Sequence, residues 1–142
     1  MRSAVLLDTG PLVSLLNARD RHYVWAKQQF ATIKPPLFTC EAVISEACHI
    51  ILRGGGNPQH VIQLAEIGFM DVSFPFSNHV PAVNKLMKKY RDLPISFADA
   101  CLVRMSELRD SAVLLTLDKD FQIYRKHGRQ RISVRLPADR IP

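Results

Sequence analysis

A chain of 142 residues, 47% hydrophobic and 23% charged, has room for a central sheet with flanking helices, and the whole span 1–142 reads as one domain. No apolar run approaches bilayer length, which argues against a membrane protein, and Ala4-Val5-Leu6-Leu7 stops at Asp8, too short for the core of an export signal. The net charge of +6 favours a polyanionic or acidic partner; Cys40, Cys48 and Cys101, none in a CxxC pair, offer no zinc site and fit a reducing, cytoplasmic setting.

In chain order, Ala4 to Leu7 has the character of a strand buried on both faces, and Asp8-Thr9-Gly10-Pro11 turns it into a short helix carrying Leu12, Val13, Leu15 and Leu16. A second helix covers about His22 to Ile33 and is stopped by Lys34-Pro35-Pro36. Leu37 to Thr39 is a brief strand. Glu41 to Arg53 is a helix with Val43, Ala47, Ile50 and Ile51 at helical spacing, ended by Gly54-Gly55-Gly56. No Gly-Lys-Ser/Thr follows that triplet, so it is a helix stop and turn, not a phosphate loop. Asn57 caps a further helix with Pro58 at its first position. Phe69 to Phe76 alternates as a strand, and helices over about Asn78 to Arg91 and Ser96 to Leu108 follow. Ser111 to Leu117 is a second continuous apolar strand, then comes a short helix near Phe121 to Lys126, and Ile132 to Leu136 is the last strand.

Strands alternating with helices predict an α/β fold of three layers, with a parallel sheet between helices. Right-handed crossovers put the carboxyl ends of all its strands on one edge, where ligands of such folds bind. Asp8 ends the first strand and Asp118 follows the strand closing at Leu117, so both belong to that edge. Asp99 stands in the first turn of the helix that leads back to that later strand, and so starts from the same edge. Glu46 lies about five residues into its helix, ~7–8 Å along the axis, and borders the apolar stripe.

Each acid alone has an ordinary explanation. Asp8-Thr9 ahead of Pro11 could cap a helix, Ser96-Phe97-Ala98-Asp99 fits a capping box, Asp118 or Asp120 could cap the helix at Phe121, and Glu46 could be a solvated surface residue. Four independent caps, however, have no reason to converge. Taking these four from the 13 acidic residues leaves nine against 19 basic ones, an acidic pocket in a basic surface. That suits a metal-dependent enzyme acting on a phosphate polymer. Crowded carboxylates repel one another until a cation relieves them, and oxygen donors without His or Cys call for Mg²⁺ or Mn²⁺.

At these residues the chain resembles the PIN-domain family, in particular the VapC-like toxins of prokaryotic toxin–antitoxin pairs. The resemblance spans nearly the whole length: Leu6-Leu7-Asp8-Thr9-Gly10-Pro11-Leu12, the Ser45-Glu46 step, Leu93-Pro94-Ile95-Ser96-Phe97-Ala98-Asp99-Ala100, and Leu115-Thr116-Leu117-Asp118-Lys119-Asp120-Phe121. It implies a parallel sheet of about five strands and Mg²⁺- or Mn²⁺-dependent endonucleolytic hydrolysis of RNA, leaving 5′-phosphate and 3′-hydroxyl ends. Carried over, Asp8, Glu46, Asp99 and Asp118 bind metal, Thr9 and Thr116 are polar supports, and Asp120 is either a supporting acid or an accessory ligand, since spacing alone does not separate it from Asp118. A homodimer and a cognate antitoxin are implied as well.

Candidates for holding the RNA backbone are Lys85, Lys88, Lys89 and Arg91 on one helix and Arg125, Lys126, Arg129 and Arg131 near the C-terminus; a solvated helix face explains the first group equally. Tyr23, Trp25 and Phe30 share a helix and fit core or dimer interface better than base stacking. The alternatives are a housekeeping PIN nuclease without antitoxin, which has the same residues, and a non-catalytic binding module of the same fold. A phosphoacceptor receiver domain would need an Asp after the third strand, where Phe74-Pro75-Phe76 stands.

Overall fold

The computed structural model describes residues 3–141. Its elements in chain order are β1 (Val5–Leu7), α1 (Thr9–Leu15), α2 (Tyr23–Ala31), β2 (Leu37–Phe38), α3 (Glu41–Arg53), α4 (Gln59–Glu66), β3 (Met70–Asp71), α5 (Val80–Lys89), α6 (Phe97–Leu108), β4 (Val113–Leu115), β5 (Arg125–Lys126), β6 (Gln130–Arg131) and β7 (Ser133–Arg135). Five strands form one parallel sheet in the order β3-β2-β1-β4-β7, as the alternation of strands and helices predicts.

β1 and β4 form its centre, in register Leu6 with Leu114 and Leu7 with Leu115. All residues of β1 are buried, so helices cover both faces of the sheet there. Leu6, Leu7, Leu114 and Leu115 are essentially inaccessible, and each contributes about 1.5–3 kcal/mol through burial. From β1 the chain first winds outward through β2 and β3, then returns to place β4 on the other side of β1. The winding direction therefore reverses between β1 and β4, which opens a crevice beyond their carboxyl ends.

Local chemistry fixes the helix ends. Ser96 Oγ accepts from Asp99 N–H at 3.0 Å and starts α6. Asn57 Oδ1 accepts from Gln59 N–H at 2.9 Å at the entry to α4, whose N-cap position falls on Pro58, one residue later than expected. Gly55, at φ +85°, supplies the left-handed residue that stops α3.

Two expectations fail. The alternating stretch Phe69 to Phe76 yields a strand only at Met70–Asp71, because β2, its sole partner, is itself two residues long and leaves the rest without a ladder. The expected helix at Phe121 to Lys126 is instead a 3-10 turn over Lys119–Gln122 followed by β5, which pairs antiparallel with β6. His127 and Gly128, both at positive φ, make the tight turn between them, a hairpin that apolar periodicity does not register. Phe30 is buried against Phe69 at 5.4 Å between ring centroids and Trp25 packs half-buried on the core, so that aromatic group is largely structural.

Candidate active site

The crevice between β1 and β4 is an open cleft of about 580 Å³, lined by Asp8, Asp20, Glu46, Asp99, Asp118 and Asp120 together with Thr9, Ser14 and Ser96. A larger hollow of about 760 Å³ lies elsewhere, around Ala4, Lys34, Arg109 and Val113; its lining includes no acid.

Asp8 follows β1 directly and is 7% exposed. Its backbone N–H donates to Leu115 C=O at 3.1 Å, extending the β1–β4 ladder by one residue and locking Asp8 beside the end of β4. One carboxylate oxygen accepts from Thr9 N–H at 2.7 Å and the other from Thr116 Oγ–H at 2.6 Å. Thr116 Oγ in turn accepts from Asp118 N–H at 2.9 Å. A single buried hydroxyl thus ties the acid after β1 to the acid after β4. Gly10 lets the first turn of α1 approach Leu117 closely, since a β-carbon there would meet the Leu117 side chain at 3.0 Å.

Asp118 accepts from Asp120 N–H at 2.9 Å, so it caps the turn and also faces the cleft. Asp99 lies beside Ser96 in the first turn of α6 and receives a long 3.5 Å contact from Tyr124 Oη. Glu46 is on the exposed side of α3 and reaches the cleft from there. Capping and convergence are therefore not rival readings: Asp8 and Asp118 do both.

Burial pushes the Asp8 carboxyl up to about 6, with the charges of Asp118 and Glu46 adding to it and the bonds from Thr116 and Thr9 opposing it. Asp99 rises to about 7, through burial first and then through Asp8 and Asp118. Asp120 is raised by burial and by Asp118. Burial also raises the Tyr124 phenol, and Asp99, Asp120 and Asp118 push it further.

The donor set fits a hard divalent cation. It is all oxygen, its members repel one another, and Thr9 Oγ is buried there without a hydrogen-bond partner. Among the described residues, no three of His, Cys, Asp and Glu stand as a ready coordination shell, so the acids share a cleft rather than a point.

The family model of the PIN domain matches residues 5–127, a span that takes in Asp8, Glu46, Asp99 and Asp118. The chain belongs to the PIN domain family. Among solved structures, this PIN domain is similar to VapC20 of Mycobacterium tuberculosis, a sarcin–ricin loop cleaving toxin, with a TM-score of 0.65 and 21% identity over 78% of this chain and 87% of that one. That likeness concerns the fold. No curated protein matches the chain significantly.

The basic residues proposed from sequence do not line the acid cleft of the PIN domain. Lys85, Lys89 and Arg125 flank a separate groove of about 300 Å³ with Arg104, Glu107 and His127, and Lys88 is exposed on α5. Lys126 is a correction: it is 8% exposed and its Nζ donates to Asp110 C=O at 2.9 Å, so it cannot meet a phosphate. Arg125 is largely engaged too, with one guanidinium nitrogen donating to the carbonyls of Gln122, Ile123 and Tyr124. The cations that do line the cleft are Lys119 and Arg140, which motif reasoning passed over. Lys119 adjoins Asp118 in sequence and could have been noticed there; nothing local marks Arg140.

Proposed function

We propose that this PIN domain is an endoribonuclease dependent on Mg²⁺ or Mn²⁺, and that it serves as the toxin of a VapC-type toxin–antitoxin pair. The observation that carries the reading is the meeting of Asp8, Glu46, Asp99 and Asp118 in one cleft at the switch point of a parallel sheet. Burial and mutual repulsion raise Asp8 to about 6 and Asp99 to about 7, which supports a functional role for this cleft.

Asp8, Glu46, Asp99 and Asp118 would hold the metal, with Thr9 and Thr116 as supports and Asp120 as an accessory acid. A bound divalent cation supplies Lewis acidity toward water and phosphate oxygens. The chain's own groups do the rest. Thr116 fixes the orientation of the Asp8 carboxylate, and the Ser96 cap sets the first turn of α6 from which Asp99 projects. Asp99, raised to about 7, would have to be ionised to hold the cation, so metal affinity should rise with pH across neutrality.

Among the described residues no helix is long and apolar enough to cross a membrane, and all three cysteines are free, which supports a reducing, cytoplasmic setting. The likeness to VapC20, a toxin that cleaves the sarcin–ricin loop, supports RNA as the substrate and an antitoxin as inhibitor; a homodimer as the working form is part of the same proposal. An antitoxin could act by setting an Arg or Lys against the acid cleft. Co-expression with the neighbouring reading frames of its operon should recover such a partner; purification of the chain alone under those conditions would contradict the antitoxin.

The activity is tested by incubating a labelled structured RNA with the purified protein in Mg²⁺, in Mn²⁺ and in EDTA. Cleavage in either metal, leaving 5′-phosphate and 3′-hydroxyl ends, and none in EDTA is the expected result. Cleavage that persists undiminished in EDTA would overturn the metal-dependent reading.

A further inference from the structure

The cleft is lined by six carboxylates, Asp8, Asp20, Glu46, Asp99, Asp118 and Asp120, and by two cations, Lys119 and Arg140. A phosphodiester entering it meets strong negative potential unless something besides the metal draws it in. Lys119 and Arg140 both share the cleft with acids. Lys119 acts on Asp120 through its charge, but neither cation is held in a close ion pair among the described residues.

Arg140 belongs to a turn that is tied to the rest of the fold beside the cleft. It closes the 3-10 turn Ala138–Arg140, whose backbone is fixed by Arg140 N–H donating to the carbonyl of buried Pro137 at 2.9 Å. The preceding residue, Asp139, receives Arg21 Nη2 at 2.8 Å and His22 Nε2 at 3.1 Å. Because a carboxylate only accepts, His22 Nε2 carries the proton of that bond. His22 is 7% exposed whereas Asp139 and Arg21 are exposed, so the anchor joins a surface carboxylate to a buried imidazole. The anchor continues into the cleft wall: His22 N–H donates to Asp20 Oδ1 at 2.8 Å, and the same oxygen accepts from Ser14 Oγ–H at 2.8 Å. Asp20 and Ser14 both line the cleft.

We propose that Arg140, assisted by Lys119, binds a phosphate of the RNA backbone at the acid cleft, and that Asp139 is the positioning residue that sets it there. This rests on the nuclease reading of the same cleft. The guanidinium fork matches two phosphate oxygens at once, whereas Lys119 contributes a point charge. Contacts of this kind fix affinity and register on the strand and carry no base preference. The ligand class is therefore a sugar–phosphate backbone.

The test has two independent arms. In the first, R140A, R140K, D139N and D139E are compared with wild type for cleavage of one labelled RNA in Mn²⁺. R140A should raise KM by roughly tenfold with a smaller change in kcat, and R140K should recover part of it. D139N should shift KM in the same direction and D139E restore it, while calorimetric Mn²⁺ binding stays that of the wild type. In the second, RNA binding is measured by anisotropy across a salt series in a D99N background, with and without R140A. Loss of one phosphate contact should flatten the slope of log affinity against log salt by about 0.7. An unchanged slope with unchanged KM overturns the proposal while leaving the nuclease reading intact. Tighter binding or faster cleavage by R140A also overturns it, because Arg140 would then be blocking the cleft. If wild type cuts no RNA, the nuclease reading falls and the salt slope alone decides whether Arg140 binds phosphate.

Discussion

Thr116 carries more of the site than its size suggests. It is fully buried, donates to Asp8 and accepts from Asp118 N–H, so the two strand-end acids are oriented through one oxygen. T116V keeps the shape and removes that oxygen, leaving a buried carboxylate oxygen and an amide without their partner. The expected cost is about 1–3 kcal/mol of stability by urea unfolding and a loss of roughly 10–100-fold in cleavage rate. T116S should retain both. Equal stability and activity in T116V would mean the hydroxyl does not orient the site. The sequence placed Thr116 at the site only through family resemblance. Its bonds depend on the register of Leu7 with Leu115, which no local pattern contains.

At the scale of elements, α6 presents Asp99, and Ser96 starts it. S96A should destabilise the fold by about 1 kcal/mol, in the usual range for a lost helix cap. It should also weaken Mn²⁺ binding, because the first turn that carries Asp99 frays. G55A is the contrasting change: at φ +85° it costs roughly 1–2 kcal/mol of left-handed strain far along α3 from its start. G55A should lower the urea midpoint and leave Mn²⁺ affinity unaltered. A fall in affinity there would show that the end of α3 is coupled to Glu46. The long elements were legible in sequence because their periodicity reflects burial: α3 begins and ends where the apolar spacing and the glycine stop require. The hairpin of β5 and β6 was not, since its pairing rests on two turn residues and on mainly polar strands. Lys126 looked like a free cation for the same reason, although the hairpin turns it inward to Asp110.

Across the whole molecule, the acid cleft sets the response to pH and metal. Asp8 has a folded value of about 6 against an ordinary 3.8, so the folded chain binds that proton more tightly than the unfolded chain does. The resulting stability is present below the unfolded value and is lost as pH rises through 6; Asp99, raised to about 7, acts in the same direction. In EDTA the thermal midpoint should therefore rise on acidification from about pH 7.5 to about pH 5. Mn²⁺ at the higher pH should raise it too, by binding the folded state alone. A midpoint that falls steadily with acid and ignores Mn²⁺ would mean the acids are not crowded. Convergence of the acids on one sheet edge followed from strand–helix alternation and crossover handedness. The place of Arg140 did not, because it depends on a contact between Asp139 and His22, 117 residues apart.

The most direct test of the central claim sets D99N beside wild type in one preparation series, reading RNA cleavage in Mn²⁺ and calorimetric Mn²⁺ binding together. This substitution removes a charge while nearly preserving shape. The account predicts metal-dependent cleavage by wild type, a loss of at least about 100-fold in D99N, and weakened Mn²⁺ binding in the variant. Equal cleavage and equal Mn²⁺ binding by both proteins would contradict it, and would return Asp99 to the role of an ordinary first-turn acid in α6.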